Sequence, residues 1–419
     1  MSGIELHPAS GRIGFVAADG SAARAPETPS ADYAPFAVKL GVVFTRGGFD
    51  ALEAEWKELE GRVDAAHQVF QSFNWSWHWC NHYLPKAGGG KPCLELAVVT
   101  GRMSGRLVMV WPLVLEHVIG LRILRWLGEP VSQYGDALVE HGPHRHELLA
   151  AGYDFALRRL APDVVHLANV RADAVAAPLL QAEDVSVIAA GRAPFNDLQA
   201  YASYCDFEKA LAGKDKKSRR RHRRRLGEKG AVRAEIMAEG AEARAFAARA
   251  VRMKREWLEA RGLSSRAFAD NRIEAFMAEV AGDERRPVGC RIGVLTCAGQ
   301  TTAIEIVFRN AAHAVSHIKV YAPEFEMHGP GHLLTEDLIQ SIFYEGAATY
   351  DLMAPDAAYK WIWADQSVPV REHALARTRR GRLYVSLYLK RMRPKLKAAL
   401  GKLPMSVRRR LLRARQTAE

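Results

Sequence analysis

Three groups of residues carry chemistry by type and spacing. Gly329-Pro330-Gly331 stands directly ahead of an apolar-periodic run, Gly331 to Glu345, that reads as a helix. Glycines let an anion approach the backbone closely, and the first turn of a helix offers unpaired N–H groups and a positive dipole end. The combination fits a phosphate-bearing ligand. The competing reading is a plain strand-to-helix turn in which Pro330 takes the first helical position. On the run Thr301 to Arg309, alternation puts Ala303, Glu305 and Val307 on one face and Ile304, Ile306 and Phe308 on the other. Glu305 is then a carboxylate among apolar neighbours, where desolvation raises a pKa toward the range of a general base. The alternative is a carboxylate paired with an arginine or with His317. Asp351, at the end of the strand after the loop helix, and His317, on the strand His313–Tyr321, are the second and third candidate bases.

The third group is cationic. The chain carries +12 over 419 residues, yet Lys214 to Lys229 alone holds ten Lys/Arg against two acids, and Arg377 to Arg415 holds fifteen with none. These two segments exceed the whole net charge, so the remainder is mildly acidic. A DNA-binding domain spreads its charge over a folded face, and nucleic acid is not the expected partner. Arg219 and Arg223, and Lys216, Arg220 and Arg224, fall on adjacent helical rows; at that density the helix repels itself unless an anion is near. The bland alternative is a solvated helix face. In the tail, Leu403, Val407, Leu411 and Leu412 against Arg408–Arg410 and Arg413 form a basic amphipathic pattern, the kind that lies on an anionic membrane surface.

The elements that position these groups follow from periodicity. Residues 1–36, rich in Ala, Pro, Ser and Gly, are expected to be mostly disordered. Thereafter both halves read as strand, two helices, three strands, helix, strand, strand. This predicts an α+β (mixed α/β) chain of two tandem domains, 37–200 and 201–376, each a mostly antiparallel central sheet flanked by helices. The basic helix 214–229 opens the second, and a basic tail, 377–419, follows it. The aromatics between Phe70 and Trp79, with Ser72 or Asn74 as helix cap, read as core ahead of a sugar-stacking platform. No stretch approaches the ~20 apolar residues of a membrane span, and the N-terminus lacks a signal pattern. Cys80, Cys93, Cys205, Cys290 and Cys297 have neither disulfide nor zinc spacing, so a reducing cytoplasm and no metal are expected.

Three antiparallel strands, a glycine-containing loop, a helix and a further strand are the order of the GNAT acyltransferase fold. Lys254-Arg255-Glu256-Trp257-Leu258, Ser264-Ser265-Arg266-Ala267-Phe268, Pro330-Gly331-His332-Leu333-Leu334 and Tyr359-Lys360-Trp361-Ile362-Trp363 resemble the CelD/BcsL-type GNAT family, linked to bacterial cellulose and polysaccharide biosynthesis. In the first half Phe70-Gln71-Ser72, Ser132-Gln133-Tyr134-Gly135-Asp136 and Phe195-Asn196-Asp197-Leu198 also resemble it, so the likeness spans roughly residues 38 to 375. The chain is similar, more distantly, to FemAB-type transferases, which pair two GNAT-like domains and take aminoacyl-tRNA as donor. The resemblance implies tandem GNAT-like domains, acetyl-CoA (or another acyl-CoA) as donor, and an amine- or hydroxyl-bearing acceptor such as a saccharide. It implies donor contacts from Gly329, Pro330, Gly331, His332 and Leu333, a phosphate or carboxylate contact from Lys360, and Tyr359 as the acid that protonates the departing thiolate. Trp257, Arg219 and Arg223 would contact substrate, and Tyr134 and Asp136 would line an acceptor cleft between the domains. The tail would attach the protein peripherally to the inner membrane. With no G-x-S-x-G elbow, direct transfer is expected rather than an acyl-enzyme. One departure stands out. The family loop opens with Gln or Arg where this chain has Glu326, an unhelpful neighbour for a pyrophosphate. That acid favours a rival reading, a non-catalytic scaffold tethered through its tail. The other rival is FemAB-like aminoacyl transfer, with the run 214–229 meeting tRNA.

Overall fold

Two-residue left-handed turns set the strand order of the first half. In the computed structural model, which describes residues 2–6, 13–17, 38–63, 66–85, 93–263, 265–404 and 407–408, β1 (Val38–Val43) runs antiparallel to β2 (Val98–Met103), and β2 to β3 (Arg106–Trp111). Ser104 and Gly105, at φ 50° and 82°, make the β2–β3 turn. Past Pro112 the chain enters a second sheet as β4 (Leu113–Val118), turns at Ile119 and Gly120, and returns as β5 (Leu121–Trp126). Helix α1 (Phe73–Tyr83) starts at Ser72, whose hydroxyl accepts from the Trp75 N–H. Phe73, Trp75 and Trp79 are buried in one core with Phe276 and Phe308 of the second half, so the aromatic cluster is core. After α2 (Arg145–Leu160), β6 (Val164–Arg171) lies parallel to β5. Within the segment expected to be disordered, Ser2–Leu6 pairs with Ile13–Ala17; the rest of 1–36 lies outside the described residues.

The second half opens after β7 (Ser186–Asp197) with the basic helix α3 (Gly213–Gly227). Strands β8 (Val232–Met237), β9 (Cys290–Cys297), β10 (Gln300–Asn310) and β11 (His313–Tyr321) form an antiparallel meander. Its two faces are covered differently. Ile304, Ile306 and Phe308 pack with α4 (Ala241–Ala260) and α5 (Arg272–Gly282), while Ala303 and Val307 pack with α6 (Pro330–Tyr344). Period-two alternation on β10 thus sorts its side chains as the sequence predicts. Gly293 is required by this packing: a Cβ there would lie 2.8 Å from Leu338 of α6.

The last strand of each half crosses to the other. β7 pairs with β12 (Thr349–Asp351) at Phe195–Asp197, and β13 (Gln366–Ala376) lies between β6 and β7, antiparallel to both. The result is a continuous 11-stranded sheet in the order β8-β9-β10-β11-β12-β7-β13-β6-β5-β4, closed by the short strand Leu94–Leu96, beside a four-stranded sheet that contains β1, β2 and β3. Beyond β13 the chain is α-helical over Arg379–Leu383, π-helical over Tyr384–Met392 and α-helical over Arg393–Lys402. Val385 and Leu389 seat this run on Leu121, Ile123, Val164 and Ala374. Residues 409–419, which carry much of the expected amphipathic tail pattern, lie outside the described residues. Among the described residues no helix is long and apolar enough to cross a membrane.

Candidate active site

A bulge and a parting of two strands open the site. The β10–β11 ladder pairs Ile306 with Ile318 but Val307 with Ser316, which leaves His317 as the extra residue of a β-bulge. β11 and β12 run parallel, yet only His313–Val315 pairs with Thr349–Asp351. β12 ends at Asp351, so β11 runs on from Ser316 to Tyr321 without β12 beside it, and α6 begins near that gap. Gly329 holds φ 55°, ψ 43°, a conformation that favours glycine, and Pro330 fills the first helical position. The N–H groups of His332 and Leu333 bond back to Gly329 O at 3.0 and 3.3 Å, so Gly331 is the first-turn residue whose N–H lacks a backbone acceptor.

A cavity of about 350 Å³ sits there. Lys254 and Trp257 line it from α4, Lys319 and Tyr321 from β11, Glu326 and Gly329–His332 from the loop and the head of α6, and Tyr359 from the segment after β12. A Cβ on Gly331 would meet Tyr321 at 3.6 Å and Lys319 at 3.7 Å, ordinary contacts that leave room for a methyl group.

The cavity is electropositive. Lys254 donates to Lys319 O at 3.1 Å, and burial, with Lys319 and Arg261 nearby, pushes its pKa down to about 8. Burial and the charge of Lys319 likewise lower His332 to about 4, so its ring is neutral near pH 7. The Lys319 ammonium is buried without a hydrogen-bond partner, 3.5 Å from Glu305 and 5.5 Å from the centre of the Tyr359 ring. Burial, with Glu305 nearby, lifts the Tyr359 hydroxyl to about 12, which keeps it protonated. Trp257 lies between two cations, Lys254 at 4.5 Å and Arg261 at 4.2 Å. Glu326 accepts from Arg261 and from the Tyr321 hydroxyl, both at 2.8 Å, so its charge is neutralised at the rim.

The structure gathers Gly329, Pro330, Gly331, His332, Trp257 and Tyr359 around this cavity and places the other expected residues elsewhere. Glu305 is fully buried behind Lys319 and accepts from Ser316, Thr335 and Tyr350 at 2.5, 2.6 and 2.9 Å. Its surroundings are polar, contrary to the apolar neighbours expected. It holds Lys319 and does not reach the cavity surface. Asp351 is also corrected: its carboxylate accepts from Arg171 at 2.5 Å, Tyr134 at 3.0 Å and the Met353 N–H at 2.6 Å in a buried knot. His317 bonds Val131 O at 2.9 Å among Phe70, Trp75 and Phe308, and burial lowers it to about 4. The bulge causes this. Strict alternation would keep residues 317 and 319 on one face, but the extra residue sends His317 into the core and leaves Lys319 facing α6.

Tyr134 and Asp136 do not line a cleft. Both are buried, and Asp136 accepts from the N–H groups of Ala137, Val175 and Ala176. Leu333 is core. Lys360 spends its ammonium on Met353 O and Pro355 O at 2.6 and 2.8 Å. Arg219 and Arg223 pair with Glu336 and Asp337 of α6 at 2.7 Å each, and Arg219 also stacks on Trp363. The basic helix is therefore held to α6 by ion pairs. Lys254, Lys319 and Tyr321 were not singled out by the sequence reading. Lys254 lies in a stretch that carried the family likeness, whereas Lys319 gave no signal because the bulge that aims it is invisible in the pattern.

A gap beside a strand end, with a helix head and cations around it, is an arrangement for a phosphate-bearing ligand. Residues 213–361 match the family model described as acetyltransferase (GNAT) domain. Over that segment, about a third of its length, the chain is similar to GNAT acyltransferase domains, which take an acyl donor and an acceptor. Its fold is shared with solved structures. FemX aligns over 81% of this chain and 98% of its own at 10% identity and a TM-score of 0.54. A conserved protein of unknown function from Bacteroides thetaiotaomicron aligns over 80% of this chain and 99% of its own, at 11% identity and a TM-score of 0.50. A sequence comparison with curated proteins gave no match. Every residue that lines the cavity, the α4 wall included, lies within the matched segment.

Proposed function

We propose that the chain is an acyl-CoA-dependent acyltransferase that moves an acetyl or longer acyl group directly from donor to acceptor at this cavity. The observation that carries the reading is the buried Lys319 ammonium, ion-paired with Glu305 at 3.5 Å but without a hydrogen-bond partner, beside the Gly331 position at the head of α6. Lys319 and the Gly331 N–H would take the donor's pyrophosphate. An acceptor amine or hydroxyl attacks the thioester carbon and the C–S bond breaks. The departing thiolate takes the Tyr359 proton, and the acceptor's proton passes to the neutral fraction of Lys254. Glu305 positions Lys319. The CelD/BcsL resemblance favours an acceptor of the polysaccharide or cell-envelope kind, which the cavity would take beside Trp257. The Arg261–Glu326 pair offsets the acid beside the donor site and so supports this reading over a non-catalytic scaffold.

Calorimetric titration with acetyl-CoA tests this. Micromolar binding, lost in Gly331→Trp, is expected; absence of heat from a folded protein would sink it. A second reading, aminoacyl-tRNA as donor, is supported by Lys214, Lys217, Arg221, Arg224 and Arg225, which form an exposed stripe on the face of α3 turned away from α6. It requires tRNA binding that weakens steeply with salt and with charge reversal of that stripe.

A further inference from the structure

The helical run Arg379–Lys402 leaves most of its surface without a partner. Val385 and Leu389 face the protein, and every residue from Lys390 to Lys402 is exposed. Yet the run carries large apolar side chains outward: Leu383, Leu387, Met392, Leu396 and Leu400 are 65, 50, 45, 53 and 46% exposed. Their spacing is four, five, four and four, and the step of five falls in the wider π-helical turns, so each is a helical neighbour of the one before and the five form a stripe that winds slowly about the axis. Lys390, Arg391, Arg393, Lys395, Lys397 and Lys402 flank that line, and no Asp or Glu occurs between Arg377 and Lys402.

Charge decides the occupant. Two copies packed stripe to stripe would bring their cations together with no acid to offset them. An RNA would use the cations and leave the apolar line in water. An anionic bilayer satisfies both at once. We propose that Arg379–Lys402 lies in the interface of an anionic phospholipid membrane, its apolar line toward the acyl chains and its lysines and arginines reaching the headgroup phosphates. The far end of the helix is held near the cavity: Arg408 donates to Gly401 O at 2.6 Å and to Gly262 O at 3.2 Å, one residue from the Arg261 that pairs with Glu326 at the rim. Where the reading of the cavity as an active site holds, the acceptor within reach is one presented at the membrane surface.

Flotation of the full chain with phosphatidylcholine vesicles, with and without phosphatidylglycerol, tests the docking separately from catalysis. The expected result is flotation with the anionic vesicles alone, released by high salt. The double variant L396E/L400E changes two exposed positions; it should lower vesicle affinity by at least about tenfold while acetyl-CoA titration and circular dichroism stay unchanged. K395E/K397E should weaken binding through charge without touching the apolar line. Equal flotation of L396E/L400E, or none by the wild-type chain with anionic vesicles, overturns the proposal. So does a dimer that L396E/L400E converts to monomer, which would make a second copy the occupant.

Discussion

The two halves part their strands at the same place and use the gap differently. In the first, β5 and β6 pair only at Ile123–Leu124 with Val164–Val165, a ladder as short as the one of His313–Val315 with Thr349–Asp351 is in the second, to within one residue pair. The following loop then fills its own gap. Trp75 donates to Ser132 Oγ at 2.8 Å, Trp79 to Glu129 O at 3.0 Å, and a Cβ on Gly135 would fall 2.1 Å from the Trp126 indole nitrogen. In the second half the loop runs straight into α6 and leaves lysines around open space. A splayed sheet is therefore a frame. Whether it is a site depends on the residues that follow.

Breaking this contrast starts with the open side. Gly331→Trp should reduce acetyl-CoA affinity by about a hundredfold or more by filling the cavity, whereas Gly331→Ala should bind nearly as the wild type does; calorimetry reads both. The same small change on the filled side should do the reverse. Gly135→Ala should cost about 1–3 kcal/mol of stability by thermal melting, with donor affinity retained in the fraction that folds. Catalysis sharpens the comparison next. Tyr359→Phe should lower kcat by about ten- to a hundredfold at unchanged KM. The kcat of the wild type should rise with pH to a plateau above about 8, as Lys254 loses its proton, and Lys254→Met should abolish that limb.

The smallest effect lies at the join between the halves. Burial works to raise the Glu372 pKa, but hydrogen bonds from His166 and Arg393 hold it down to about 2. A depressed carboxyl contributes stability that is full above its unfolded value and is lost as pH falls through its folded one. Melting temperature should therefore drop between about pH 4.5 and 2, and Glu372→Gln should remove that part of the acid sensitivity.

Element order was legible because periodicity and turn chemistry are local: the three-strand meander, the Gly329–Gly331 loop and the aromatic core of α1 all stand where the sequence puts them. Part of the cavity was legible for the same reason, since Gly331, His332, Trp257 and Tyr359 sit in or beside motif stretches. Glu305 and His317 were misread because a face assignment carries neither the hydroxyls waiting across the sheet nor the bulge that reverses alternation. Tyr134 and Asp136 were misread because a polar loop after a strand looks the same whether it opens a cleft or plugs one. Nor does anything within Gln366–Ala376 indicate that it will lie between β6 and β7.

That crossed strand has a consequence for synthesis. Val164 pairs with Ala376, roughly two hundred residues later in the chain, so β6 has no neighbour on that side when the first half leaves the ribosome. The nascent first half carries an open sheet edge until nearly the whole second half has been made. Closure comes last and joins both lobes at once, so a chain shortened before Gln366 would lose an interior strand from each of them.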